Sequence, residues 1–243
     1  TTNEAYRSQM NIYIIRHSSL YFFTNFYHKL AENPAVFAKE FKDTPLIQLK
    51  ENTYQYKAVG NARLQLDHKT RFPILTALEG YVQPGEEVAV IAVMPDMDNG
   101  RKNLELFRRE LAASCGRKGI PCPEVQVVTV PTDDAVATHV ETFQKLLDFA
   151  ADGDELFCCM TYGTKPLSTA LMMAVQYAYR VKKNTTISCI VYGQVLRPEK
   201  DKHTWTGSVY DMTALVQMDE IVRVLADRGV ENPKAVIDQL LAL

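Results

Sequence analysis

Apolar positions along this chain fall into two alternating rhythms. Near-continuous apolar runs occur at Glu87 to Met94, Val125 to Val130, Glu155 to Thr161 and Thr186 to Val195, as in strands covered on both faces. Between them, apolar residues recur three and four apart. Arg101 to Arg117 carries Leu104, Phe107 and Leu111 on one face, and Ala135 to Ala151 carries Val136, Val140, Phe143 and Leu147. Leu167 to Val181 has the same helical rhythm. Asn11 to Arg16 predicts an earlier strand, Leu20 to Leu30 an aromatic-rich helix, and Val209 to Met212 a last short strand. Leu46 to Leu49 and Thr53 to Val59 resemble a hairpin or an excursion turning at Glu51-Asn52, inside a less regular stretch, 33–70.

Strands joined by crossover helices of this length predict an α/β fold. The expected form is a doubly wound, mostly parallel, Rossmann-like sheet with helices on both faces. Thr213 to Leu243 reads as two helices separated by Gly229 to Pro233, the first with a stripe of Leu215, Met218, Val222 and Leu225. The chain therefore divides into an N-terminal extension (1–10), a ligand-binding domain (11–212) and C-terminal helices (213–243). Those helices belong to the same domain or begin an effector.

Composition narrows the classes. A chain of 243 residues, 47% hydrophobic, suits one large α/β domain. A net charge of -2 argues against general affinity for duplex DNA, while leaving room for a local basic pocket. The cysteines are Cys115, Cys122, Cys158, Cys159 and Cys189, an odd number without a CxxC pair. That pattern predicts reduced thiols in a cytoplasmic protein, with neither a disulfide scaffold nor a zinc site. No apolar run approaches the roughly 18 residues of a membrane span, and no signal peptide is visible. The chain opens Thr-Thr without Met, so we expect a piece of something longer.

Candidate chemistry gathers in loops. Ligands of doubly wound sheets bind outside the carboxyl ends of the strands, near the switch in strand order. Four polar loops are expected there: Arg16 to Ser19, Pro95 to Lys102, Pro131 to Asp134 and Thr161 to Lys165. The last offers two hydroxyls (Thr161, Thr164), Gly163 for close backbone approach, and Lys165. Pro166 fits the first helical turn, where a missing N–H costs little. A strand running into a helix leaves orphan N–H groups that attract anions. The spacing is neither a P-loop nor a dinucleotide fingerprint. Lys165 opposes the helix dipole unless an anion arrives; Thr161 and Thr164 could instead cap the helix. Arg16 and His17 could grip a phosphate, while Ser18 and Ser19 suit helix capping. The run Asp96-Met97-Asp98-Asn99-Gly100-Arg101-Lys102 lacks the ligand spacing of a calcium loop. A turn and helix cap accounts for it better, with Arg101 and Lys102 left for phosphate. His68, His139 and His203 make no metal-ligand spacing. Trp205, in the polar segment from Pro198 to Ser208, could stack on a base or pack under its loop. No metal or cofactor is expected.

The turn Met160-Thr161-Tyr162-Gly163-Thr164-Lys165-Pro166 resembles the ligand loop of CRISPR-associated Rossmann-fold (CARF) domains. Val209 to Ile221 is similar to that family's late strand and helix, and the resemblance covers most of the chain from about residue 11. It implies a homodimeric sensor of cyclic oligoadenylate, cyclic tetra-adenylate foremost, with one symmetric pocket across the two-fold axis. By the same resemblance, Thr161, Tyr162, Gly163, Thr164 and Lys165 hold phosphate and ribose. Arg16, His17, Ser18 and Ser19 face the ring, and Asp98, Asn99, Arg101, Thr132 and Asp133 form the walls. The family's domains usually control an attached effector, and none is evident here.

Other readings stay open. One is a stand-alone, metal-independent ring nuclease in which Lys165, Thr164 and His17 align attack of a ribose 2′-OH on its phosphate. Another is an unrelated doubly wound enzyme acting on a nucleotide, with Asp96 or Asp133 as base. A third is a transcription regulator, against which the C-terminal helices are not basic. The regulatory, non-enzymatic reading is the one the residues favour.

Overall fold

The computed structural model describes the backbone of residues 8–9, 11–17, 19–21, 23–25 and 27–28. It also describes residues 53–95, 98–133, 135–196 and 206–242. The described elements run β1 (Ser8–Gln9), β2 (Asn11–His17), β3 (Ser19–Tyr21), β4 (Phe23–Asn25), β5 (Tyr27–His28) and β6 (Tyr56–Val59). A 3-10 turn at Ala62–Leu64, α1 (Ile74–Tyr81), β7 (Glu87–Pro95), α2 (Asp98–Lys118), β8 (Val125–Val130) and α3 (Val136–Leu147) follow. The chain continues through β9 (Glu155–Cys159), α4 (Lys165–Val181), β10 (Thr186–Leu196), β11 (Thr206–Asp211), α5 (Thr213–Asp227) and α6 (Pro233–Leu241).

The fold is α/β, with a mostly parallel, Rossmann-like sheet flanked by helices. Its central order is β8-β7-β2-β9-β10-β11-β6. β7 pairs parallel with β8, and β9 parallel with β10. β2 lies between β7 and β9 and runs against both, so β7, β8, β9 and β10 share one direction. β11 turns back along β10, and β6 runs parallel to β11.

Side chains alternating along each strand feed two cores. Val90, Ala92 and Met94 of β7, Phe157 and Cys159 of β9, and Cys189 and Val191 of β10 meet α1 and α2. Phe107 packs edge-on against Phe72 with centroids 5.2 Å apart, and Phe157 likewise against Tyr81 at 5.1 Å. On the other face, Ile91, Val93, Leu156, Cys158 and Ile190 meet α3, α4 and α5. The alternation explains why these strands read as continuous apolar runs. α4 buries Leu167, Ala170, Leu171, Ala174, Val175 and Ala178. The alanines, four residues apart, form one small-residue stripe.

α5 is held by Val216 in that second core and by Arg180 of α4, which reaches Asp219 at 2.6 Å and Glu220 at 3.0 Å. α6 buries none of its side chains.

The structure departs from expectation in four places. The segment expected as a helix, Leu20 to Leu30, contains short strands at Ser19–Tyr21, Phe23–Asn25 and Tyr27–His28; its aromatic content favours pleated structure. β2 is antiparallel to its neighbours where a parallel first strand was expected. Tyr56–Val59, expected as one arm of a hairpin, pairs parallel with β11. α1, absent from the sequence reading, lies within the Pro73-to-Tyr81 stretch, whose short apolar run carries little helical period. Ser18, the Leu46–Leu49 and Glu51-Asn52 segment, Asp96, Met97, Asp134, His203 and Trp205 lie outside the described residues.

Candidate functional site

The carboxyl edge of the parallel strands is where the sequence expects a ligand, and the turn after β9 is its most elaborated part. β9 ends at Cys159, level with Val191 of β10, and the Met160 N–H donates to the Val191 carbonyl at 2.9 Å. The next residue turns back. Thr161 Oγ1 accepts from the Gly193 N–H at 2.8 Å and from the Cys159 thiol at 3.1 Å. Both lone pairs of that hydroxyl are thereby used, and its proton is what it has left to offer.

Tyr162 points inward and donates to the Arg71 carbonyl at 3.0 Å. Burial, foremost, pushes its phenol above the ordinary range, so Tyr162 stays protonated and acts as an anchor of the turn. Gly163 has φ +113°, in the region that favours glycine. Thr164 is the N-cap of α4: its Oγ1 accepts from the Leu167 N–H at 3.4 Å and its carbonyl from the Ser168 N–H at 2.9 Å.

Pro166 has no N–H and Leu167's is capped, so the free donors at the helix start are fewer than a bare N-terminus presents. The Lys165 side chain, exposed at the first helical position, supplies the charge.

Two further loops share this edge, because β7 and β8 end level with each other, Pro95 opposite Val130. Asp98 and Arg101 open α2 and are joined on its surface at 3.3 Å. Asn99 lies beside them on the backbone of the same turn. Thr132 and Asp133 follow β8 and are exposed. Asp133 Oδ1 accepts from the Thr138 hydroxyl at 2.7 Å and the Ala135 N–H at 2.9 Å, which hold its carboxyl below the ordinary range. Asp133 is therefore committed to bracing the turn into α3 and is a poor general base.

The structure does not bring the first loop to this edge. β2 runs against β9, with Ile12 opposite Cys159 and Ile14 opposite Phe157. Arg16 and His17 then fall near the start of β9, roughly 20 Å along the strand from Thr161 at about 3.3 Å per residue. Ser19 opens β3 opposite Glu87, at the same far edge. Shared placement of Arg16, His17 and Ser19 with Lys165 rested on a parallel first strand, and reversal of β2 removes it.

Two neighbours of the turn were missed in the sequence. Arg71 is buried, and its carbonyl anchors Tyr162; nothing in its Arg-Phe-Pro context marks it. Gly193 did carry a signal, as a lone glycine within an apolar strand, which marks close backbone approach. A Cβ there would lie 2.3 Å from Pro73 Cγ and 3.4 Å from Thr161 Cγ2. Tyr192 and Tyr210, tilted 35° with centroids 6.3 Å apart, add a part-exposed aromatic pair on the adjoining hairpin.

Among the described residues, no cluster of three or more His, Cys, Asp or Glu side chains could hold a metal ion. No described helix is long and apolar enough to cross a membrane. Fold and site together define an α/β, Rossmann-like protein with a built polar turn at the carboxyl edge of its sheet. Comparison with protein-family models and with curated protein sequences gives no match.

Proposed function

We propose that the protein is a cytoplasmic sensor that binds a cyclic oligoadenylate, cyclic tetra-adenylate foremost, across a homodimer interface and controls an antiviral effector. The observation that carries this reading is the turn from Met160 to Lys165. Its hydroxyls, glycine and lysine stand at the carboxyl edge, immediately before a capped helix. Lys165 meets a phosphate of the ring, the Thr161 proton bonds a phosphate or ribose oxygen, and Gly163 lets the backbone approach. Tyr162 and Thr164 hold the turn in place rather than touching the ligand. The turns opening α2 and following β8 flank the ring, with Arg101 as a second cation. Arg16 and His17 have no part in this half-site. A ligand with two-fold symmetry takes an equivalent half from each protomer.

The test is calorimetric titration of the purified chain with cyclic tetra-adenylate, followed by chromatography of the recovered ligand. Binding of one intact ring per dimer supports the sensor. Recovery of linear product makes the protein a ring nuclease. Absence of heat with both the four- and the six-membered ring overturns the reading.

A further inference from the structure

Among the described strands, β6 is the last of the sheet and has β11 on one side only. The main-chain groups on its outer side need partners from elsewhere. Tyr54, just ahead of the strand, exchanges both of its main-chain bonds with Thr70 at 3.0 Å each. Between these two residues the chain reverses at Gly60, which has φ +80°, and passes through the 3-10 turn at Ala62–Leu64. At Gln65 a side chain takes over from the main chain. Gln65 Oε1 accepts from the Ala58 N–H at 3.0 Å, and Gln65 Nε2 donates to the Tyr56 carbonyl at 3.1 Å. The second Nε2 proton goes to the Leu66 carbonyl at 2.9 Å. Ala58 offers a donor and the two carbonyls offer acceptors, so one orientation of the carboxamide satisfies all three.

We infer that the outer edge of β6 is a pairing surface for a second copy of this chain, held closed by the Gln65 carboxamide. A donor and an acceptor on the free side of an edge strand are the groups that an incoming strand bonds. Gln65 occupies both. The partner follows from the pairing itself. An identical edge carries the same donor and acceptor, and two such strands related by a two-fold axis run antiparallel and exchange main-chain bonds. β10 and β11 separate this edge from β9 and the ligand turn, so the inference is independent of the proposed ligand.

Leu64 and Leu66, on either side of Gln65, are buried and fix the arm from which it reaches. Gln65 itself is exposed, so its removal frees the edge while leaving the apolar anchors in place. Lys57, exposed between Tyr56 and Ala58, adds a charge that opposes pairing with an identical strand. Salt screens that repulsion, and pairing of an opened edge should tighten as salt rises.

The experiment follows the full chain and Gln65→Ala, without ligand and in high salt, by sedimentation velocity over a concentration series. Amide hydrogen exchange at Ala58, resolved by NMR, locates any contact. In wild type the Ala58 amide is expected to exchange slowly although it faces away from the sheet. In dilute Gln65→Ala it should exchange several-fold faster. As concentration rises, the variant should form a further dimer beyond any assembly of wild type, and Ala58 should regain protection. Gln65→Asn, polar but one methylene short of both partners, should behave in the same way. Variants that melt as wild type does and assemble no further would overturn the inference, as would association that leaves Ala58 unprotected. Fast exchange at Ala58 in wild type would overturn it without any variant.

Discussion

Thr161, on the turn after β9, and Gly193, on the adjacent strand β10, are joined by a 2.8 Å hydrogen bond from the glycine N–H to the threonine hydroxyl. A second donor, the Cys159 thiol, reaches the same oxygen. The turn is thus bonded sideways to the sheet as well as continuing from it. Thr161→Val keeps the shape and removes the acceptor, leaving the Gly193 N–H without its partner. We expect a loss of about 1–2 kcal/mol in urea unfolding, with Thr161→Ser close to wild type. Equal stability of the valine variant would show that the bond contributes nothing.

Gly193 is fixed by space as well as by its hydrogen bond. An added Cβ meets the Pro73 ring at 2.3 Å and 2.9 Å, and a proline ring has little freedom to move aside. Gly193→Ala is expected to destabilise the fold by about 1–3 kcal/mol. It should also disturb the Thr161 turn, seen as chemical-shift changes spreading from residue 193 to 161–165. Wild-type stability with unmoved signals would contradict the packing.

Lys165 separates binding from folding. It is exposed and makes none of the contacts that hold the turn, so Lys165→Ala should leave the melting temperature unchanged. Under the proposed function it removes a charge-assisted phosphate contact and weakens binding of cyclic tetra-adenylate about tenfold or more. Titration of the well-folded variant checks this, and undiminished affinity would remove Lys165 from the site.

The α4–α5 seam gives a pH signature. Arg223 first, and then Arg180, hold the Glu220 carboxyl down from the ordinary 4.5 to about 2. A carboxyl lowered in the folded state contributes stability above its ordinary value, and that contribution is lost as pH falls from about 4.5 toward 2. Glu220→Gln should therefore be less stable than wild type near pH 6, with the gap closing across that acid window. Because the pair is near the surface, high salt should narrow the gap at neutral pH. A gap that stays constant from pH 6 to pH 2.5 would rule the linkage out.

The strands and helices from β7 onward were legible because each has a strong period: β-branched runs buried on both faces, and helices with apolar residues three and four apart. Val125–Val130 and the two C-terminal helices match their expected bounds closely. The polar turn after β9 was legible because Gly163, Thr164, Lys165 and Pro166 each suit one position of a strand-to-helix junction. Strand direction was not legible. Asn11 to His17 has the same composition whether it runs with or against β9, and only pairing decides where Arg16 and His17 fall. Asp133 likewise reads as a free acid in one dimension, and only its bonds to Thr138 and Ala135 show that it braces the turn into α3.

β10 outlasts its neighbour. Its pairing with β9 stops at Val191, whereas its pairing with β11 continues to Leu196, five residues or roughly 16 Å farther at about 3.3 Å per residue. The carboxyl edge is consequently a ledge with a parapet along one flank. A molecule resting on the ledge loses water beneath it and along the one flank that the parapet covers.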